Sequence, residues 1–133
     1  MFATCKLGGL NIAFPDICLT PPVPPTGVPI PYPNFSMNLL GMPFHPKVLW
    51  MCAPAHQMLR TKVPMSMGDN AGVLLGVVSR KVAGETNFIT GAFTVFVGSR
   101  PATRMTTVCL MNGFNMIGMT CAPSQVKVLL LCA

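Results

Sequence analysis

The chain has 133 residues, of which 51% are apolar and 9% are charged. This length predicts one domain, residues 1–133, with a modest core, and the composition excludes a disordered chain because apolar residues dominate it. No apolar run approaches the roughly 20 residues that span a bilayer, so we expect the excess apolar surface to contact another protein.

The net charge of +6 comes from nine basic residues that are scattered along the chain. They form no basic stripe interleaved with aromatic residues, so a nucleic-acid partner is not expected. The N-terminus has no basic region followed by an apolar stretch, which predicts a protein made in a reducing compartment. There, the six cysteines are expected to be free thiols or metal ligands rather than disulfides.

The first element along the chain is a strand predicted at residues 10–14, which Pro15 and Asp16 are expected to end. Eight of the 14 prolines lie between residues 15 and 33. Proline supplies no donor to a sheet and fixes φ, so this stretch should be extended and neither an interior strand nor a helix. We interpret it as a strap on the surface; a linker and a ligand for a proline-binding domain are the alternatives.

The remaining elements are short and separated by frequent turn signals. A short helix is compatible with residues 35–40, where Pro43 and Pro46 confine it. Loops are predicted at 61–72 and 109–118, and further strands at 73–78, 81–82, 88–90, 93–97 and 126–131. This pattern predicts an all-β fold.

One short phrase occurs twice in the chain. The first copy covers residues 48–58 and the second covers residues 95–105, at a constant offset of 47. Both copies alternate apolar residues, pass through a turn and continue as Pro-Ala-x-x-Met, which is typical of a β-hairpin. Two similar hairpins predict a fold with internal pseudo-symmetry.

The order of the motifs resembles the PAAR-like proteins, which cap the spike of type VI secretion systems and related contractile injection systems. The motifs are Val-Phe-Val-Gly-Ser-Arg-Pro-Ala-Thr-Arg (95–104), Phe-Pro-Asp-Ile-Cys-Leu-Thr-Pro (14–21), Pro-Ile-Pro-Tyr-Pro-Asn (29–34), Pro-Met-Ser-Met-Gly-Asp-Asn-Ala-Gly (64–72) and Ala-Pro-Ser-Gln-Val-Lys-Val (122–128). The resemblance implies a small all-β cone with pseudo-three-fold symmetry. One copy would sit on a trimeric, β-helical VgrG-like spike and sharpen it for envelope puncture.

The resemblance also implies where the protein acts and what it carries. It would be cytoplasmic before firing and then be ejected at the spike tip into the target cell or the medium. The chain departs from the family pattern in two ways. Relatives often carry a toxin domain behind the cap, whereas this sequence stops at Ala133, so we expect any effector to be a separate protein or the cap to act alone. Many relatives also have Glu where this chain has Asn70.

A partner with a three-fold axis requires three similar faces on the cap. The two hairpins supply two of them, and the third could come from residues 2–14 or 126–131. We expect the hairpin turns to face the spike. The predicted spike-binding residues are Pro54, Ala55, Ser99, Arg100 and Pro101.

PAAR-like relatives often hold zinc with His and Cys side chains near the point of the cone. At about 3.3 Å per strand residue, Cys18, His45 and Cys109 could each reach the pole opposite the turns. They are therefore the predicted zinc ligands, with Cys121 as a candidate fourth ligand, while His56 beside the turn fits less well. The alternative is that these cysteines are buried as small apolar side chains and that His45 is merely packed.

Two other function classes remain open. Three acids and two histidines leave little for acid–base catalysis, and turn capping is the expected role of Asp16 and Asp69, so an enzyme is not expected. A Cys–His nucleophile pair remains an alternative. The second alternative is a soft-metal carrier that binds copper(I) through its eleven Met, six Cys and two His residues. These residues are spread along the chain, so packing is the favoured role of the methionines. The methionines concerned are Met65, Met67, Met116 and Met119.

Overall fold

The computed structural model describes residues 1–21 and 27–131. This part of the chain contains no α-helix, which confirms the all-β prediction. Two 3₁₀ turns lie at Asn38–Leu40 and Asn112–Phe114. The ten strands are β1 (Leu10–Thr20), β2 (Val28–Met37), β3 (His45–Trp50), β4 (Ala53–Ala55), β5 (Lys62–Val63), β6 (Thr86–Phe88), β7 (Ala92–Val97), β8 (Arg100–Ala102), β9 (Val108–Met111) and β10 (Met116–Ala122).

The strands form one sheet and two separate hairpins. The sheet has the order β2-β1-β10-β9-β6-β5, and the hairpins are β3–β4 and β7–β8. All of these pairs are antiparallel.

The first strand is longer than the sequence predicts. Strand β1 continues through Pro15 and Asp16 to Thr20, so the prediction that these two residues end it is wrong. The pairing with β2 shifts its register between Ala13 and Asp16. This irregularity lets the strand pass Pro15, which has no N–H to donate to the ladder.

The described part of the proline-rich stretch is an exposed edge strand. Strand β2 lies at the edge of the sheet and pairs only with β1 among the named strands, which confirms that it is extended and not interior. Pro29 pairs with Leu19, and the Leu19 N–H donates to Leu75 on the opposite side of β1. Because antiparallel pairs alternate in hydrogen bonding, the nitrogens of Pro29 and Pro31 face away from β1. The part of the predicted strap at residues 22–26 lies outside the described residues.

Several other predicted elements differ in the structure. Residues 73–82 form turns rather than the two predicted strands, because their backbone bonds go mainly to β1 and within the segment itself. Residues 109–118, predicted as a loop, contribute to β9 and β10, which are joined by a turn at Gly113 with φ of +62°. The strand predicted at 88–90 lies at Thr86–Phe88 instead, so the two share Phe88 alone. The strand predicted at 126–131 is reduced to one isolated bridge, at Leu129.

The two hairpins repeat each other in register. Leu49 pairs with Pro54 in the first hairpin, and Phe96 pairs with Pro101 in the second. Both hairpins carry the same irregularity before this pair, at the same offset. The repeated sequence phrase is therefore also a repeated structure.

The two ends of the chain build a third unit of the same kind. Phe2 forms a bridge with Leu129, the Ala3 N–H donates to Val128 (3.0 Å) and the Leu130 N–H donates to Met1 (2.8 Å). Residues 125–130 and 92–97 share one burial pattern, and 45–50 differs from it only at its first residue. We call these units the terminal arm (1–6 with 126–131), the first hairpin arm (45–58) and the second hairpin arm (92–105).

A cyclic set of backbone hydrogen bonds joins the three arms. The Thr4 N–H donates to Thr103 (3.0 Å), the Thr103 N–H donates to His56 (3.4 Å), and the His56 N–H donates to Thr4 (3.4 Å). Two residues further along each arm, a second cycle joins Lys6 to Pro54, Met58 to Pro101, and Met105 to Phe2. The arms are thus related by a pseudo-three-fold axis.

An apolar cluster fills the space between the arms. Ala3, Ala55 and Ala102 occupy equivalent positions with 0% exposure, and their small side chains let the three backbones approach. Trp50, Val97 and Leu130 are equivalent residues of the same cluster. A second cluster lies under the six-stranded sheet and contains Ala13, Val63, Phe88, Cys109, Met111 and Met116.

Candidate metal site and three-arm face

Two carboxylates and a thiol meet in a buried cluster. Asp16 and Cys18 lie on the same face of β1, two residues apart, and Asp69 lies in the segment that follows β5. All three residues are fully buried, and their ligand atoms lie within 4.8 Å of one another.

Glycine residues hold the Asp69 segment close to the first two strands. At Gly72, a Cβ atom would lie 2.2 Å from the Cys18 Cβ, so no other residue fits there without movement. Gly68 has φ of +129°, and a Cβ there would lie 2.0 Å from the Pro33 carbonyl oxygen. The Gly68-Asp69 turn can therefore bring its carboxylate against β1.

Three asparagine side chains orient Asp16. The amides of Asn34 (2.6 Å), Asn112 (3.1 Å) and Asn115 donate to its carboxylate oxygens. Asp69 instead accepts from the backbone N–H of Ala83 at 3.1 Å. These donors leave both side chains able to accept a cation, because a carboxylate offers about four lone-pair sites.

No ion pair to a basic side chain is formed by the cluster among the described residues. Within residues 1–21 and 27–131, the ion pair present is Lys62 with Glu85, which lies outside the cluster. Burial, together with the nearby Asp16 and Asp69 carboxylates, raises the pKa of the Cys18 thiol to about 12. Burial also raises the pKa of Asp69. A group of buried acids without a cation favours binding of a positive ion.

The ligand atoms of the cluster lie close enough together to hold one metal ion. The Cys18 Sγ lies 3.6 Å from an Asp16 oxygen and 3.8 Å from an Asp69 oxygen. Tetrahedral ligands at 2.0–2.3 Å from zinc would lie about 3.5 Å apart. The Asn34 Oδ1 is buried without a hydrogen-bond partner among the described residues.

The structure places only one predicted zinc ligand in this cluster. His45 lies on the first hairpin arm opposite Ala55, close to Gly98. Cys109 pairs with Gly118 and lies in the apolar cluster, where burial raises its thiol pKa to about 12. In the described part of the chain, the group of ligand residues close enough for one metal ion is Asp16, Cys18 and Asp69.

Sequence reasoning missed both aspartates because it assigned them to turn caps. The Asp16-x-Cys18 spacing is a signal that could have identified the first, since alternate residues of a strand share a face. Asp69 could not be found in this way, because it is distant in sequence and only the folded chain brings it close to Asp16 and Cys18.

The predicted spike-binding residues lie at and beside the hairpin turns. Ser99 and Arg100 are exposed, and Pro54 and Pro101 are half-buried at equivalent positions. Ala55 is fully buried between the arms and has no surface to offer a partner. Ala55 therefore contributes to the packing between the arms rather than to a direct contact with a partner.

The methionines named for copper lie in two separate environments. Met65 and Met67 line an apolar surface groove together with Phe35 and Met37. Met116 belongs to the apolar cluster under the sheet, and Met119 is exposed. This distribution agrees with packing rather than with one shared site.

No helix in the described part of the chain is long and apolar enough to cross a bilayer.

Comparison with known proteins identifies the family. A family model described as the toxin PAAR-like domain matches residues 9–118. The DNase toxin Tse7 of Pseudomonas aeruginosa is 33% identical over 129 residues, which cover 90% of this chain and 33% of that protein. The chain thus spans about a third of the length of this curated relative. No solved structure matches the chain significantly. The chain belongs to the toxin PAAR-like domain family, which implies a function associated with the spike of a type VI secretion system.

Proposed function

We propose that this protein is a structural cap, one copy of which sits on a trimeric VgrG-like spike with its three arms toward the spike. The observation that carries the proposal is the cyclic hydrogen bonding of the terminal arm and the two hairpin arms. A single chain with this internal symmetry can offer similar contacts to each of three identical subunits. Such a cap would also cover backbone groups that the terminal strands of a β-helical spike leave unpaired.

The exposed turn of the second hairpin arm gives the sharpest test. The double substitution Ser99→Asp and Arg100→Glu should weaken co-purification with the purified spike trimer, because it reverses charge at the proposed contact. The chain offers a matched control in Ser79-Arg80, a second Ser-Arg pair in a turn outside the arms. Ser79→Asp with Arg80→Glu should leave binding unchanged. If wild-type protein bound no VgrG-like trimer, the proposed function would be rejected.

The cap would stay in the cytoplasm until firing and leave with the spike tip, alone or linked to an effector. We propose no catalytic role for it. The curated relative is a DNase toxin, but the acidic cluster of this chain is fully buried, so a phosphodiester could not reach its oxygens. Incubation of the purified protein with plasmid DNA and Mg²⁺ should therefore give no nicking, and nicking that followed the protein through purification would contradict this proposal.

The cap would hold one structural zinc ion in the Asp16–Cys18–Asp69 cluster, with Asn34 beside it. Zinc bound there would join β1 to the Gly68-Asp69 turn and stabilise the fold around them. The ligand set of Cys18, His45 and Cys109 stays a prediction from the sequence, and both sets share Cys18.

A further inference from the structure

Each of the three arms carries one large exposed apolar side chain at the same position. Leu49 pairs with Pro54, Phe96 with Pro101, and Leu129 with Phe2, so the pseudo-three-fold axis relates them. Their exposed fractions are 56%, 61% and 52%. We call these three residues the apolar triad.

The apolar triad does not belong to the core. Its neighbours on either side, such as Val48 and Trp50, pack into the cluster between the arms. Successive side chains of a strand point to opposite faces, so the triad faces outward on every arm. Three outward apolar residues at equivalent positions of one symmetric unit are typical of a contact surface.

The arms also carry a one-sided charge. Of the three acids in the chain, Asp16 and Asp69 are buried, and Glu85 is paired with Lys62. None of the acids lies on an arm, whereas each arm has one of the exposed basic residues Lys47, Arg100 and Lys127. The arm surface is therefore apolar and positive, without acidic side chains that would oppose a negative partner.

We propose that the arms recognise the end of a trimeric spike on which each subunit presents an apolar patch flanked by carboxylates. This inference rests on the proposed function and adds the chemistry of the contact. The apolar triad supplies the buried centre of the contact, and Lys47, Arg100 and Lys127 supply the charged rim. The symmetry of the triad selects a three-fold partner over one with a single binding patch.

The first experiment removes the apolar triad. The triple variant Leu49→Glu, Phe96→Glu and Leu129→Glu should bind the purified VgrG-like trimer at least about 100-fold more weakly, because charge replaces buried apolar contacts at three places. A matched control changes three equally exposed apolar residues outside the arms, Phe14→Glu, Val78→Glu and Ile117→Glu, and should bind as wild type does. Circular dichroism and melting temperature confirm that both variants are folded.

The second experiment tests the charge of the partner. Lys47→Glu with Lys127→Glu should weaken binding about tenfold at 50 mM salt, and the difference should shrink towards 1 M salt as screening removes the electrostatic part. The readout is the dissociation constant against the same trimer at each salt concentration.

The outcomes separate this inference from the proposed function. If the triad variant bound the trimer as tightly as the wild type does, the inference would be overturned and the cap proposal would stand. The same would follow if wild-type binding did not depend on salt. Loss of binding in the triad variant with retention in the control would support both. Absence of any wild-type binding would overturn both.

Discussion

The imidazole of His56 lies where the three arms meet. It is fully buried, neither ring nitrogen has a hydrogen-bond partner among the described residues, and the Phe88 ring lies 6.2 Å from it. Burial, together with the charge of Lys6, lowers the pKa of His56 to about 4. From the sequence, His56 is predicted only to lie beside a turn. Its surroundings could not be predicted, because the terminal arm and the second hairpin arm come from distant parts of the chain.

Stability should therefore depend on pH through His56. Below its ordinary pKa of 6.5 the unfolded chain binds a proton that the folded chain refuses, so stability falls from pH 6.5 down to about 4. The loss at pH 4.5 should be about 2–3 kcal/mol, measured by urea unfolding against pH 7.5. His56→Thr, which copies the equivalent Thr4 and Thr103, should remove this dependence. Asp69, whose pKa is raised, titrates in the opposite sense in both proteins, so their difference isolates His56. Equal pH profiles for the two proteins would contradict the assignment.

Zinc content distinguishes the two ligand sets. Wild-type protein purified without added metal should contain about one zinc per chain, and Cys18→Ser or Asp69→Asn should reduce it below about a tenth. Cys109→Ser and His45→Gln should keep the metal, because both residues lie outside the acidic cluster. Retention by Cys18→Ser would contradict both sets, and loss in the Cys109 and His45 variants would favour the set predicted from the sequence. Mass spectrometry of the metal gives the readout.

At the scale of elements, the edge strand β2 uses proline to prevent further pairing. The nitrogens of Pro29 and Pro31 face away from the sheet, so this edge offers no N–H at either position. At Phe35 the outward backbone groups of β2 already bond to Met67, but the earlier part of the strand would otherwise be a template for a strand of another molecule.

Restoring the donors should open this edge. Pro29→Val with Pro31→Val should promote self-association at high protein concentration, because two outward N–H groups and two residues of high β-propensity become available. Light scattering after size exclusion measures the mass. Ile30→Val, which adds no outward donor, should remain as wild type, and a monomeric double variant would show that other features protect the edge.

The elements that sequence reasoning found are those that local signals specify. The two hairpins have alternating apolar residues, and Gly98 supplies a turn with φ of +66°. The segment at 73–78 is equally apolar but bonds to β1 in turns, and its conformation depends on where β1 lies. Strands β9 and β10 were missed because residues 109–118 contain turn-forming residues. Asn112 and Gly113 belong to the short connection, but Gly118 lies within β10 and pairs with Cys109. Whether a segment forms a strand depends on its spatial neighbours in the fold, which the sequence alone does not specify.

For the whole molecule, the terminal arm decides whether the three-fold arrangement closes. Its two halves come from opposite ends of the chain. Its sequence resembles the repeated hairpin phrase only in Ala3-Thr4 and in the alternation of Val128 and Leu130. Sequence reasoning proposed 2–14 or 126–131 for the third face, whereas the structure uses parts of both. The missing turn explains why neither segment is recognised alone.

The terminal arm should therefore contribute to global stability. Leu130→Ala should destabilise the protein by about 2–4 kcal/mol, because Leu130 is 6% exposed and fills the cluster between the arms. The adjacent Leu131 is 88% exposed, and Leu131→Ala should cost less than about 0.5 kcal/mol. Chemical unfolding measures both, and equal effects would show that the terminal arm is not part of the cooperative fold.

If the protein docks as proposed, its pseudo-three-fold axis would allow three rotational placements, 120° apart, that a symmetric spike could not fully distinguish. The placements differ only in the positions of side chains that are not the same in all arms, such as Trp50, Val97 and Leu130. An electron-microscopy reconstruction averaged with three-fold symmetry would superpose these side chains and conceal the chain ends, so the orientation of the cap would have to be determined without imposed symmetry.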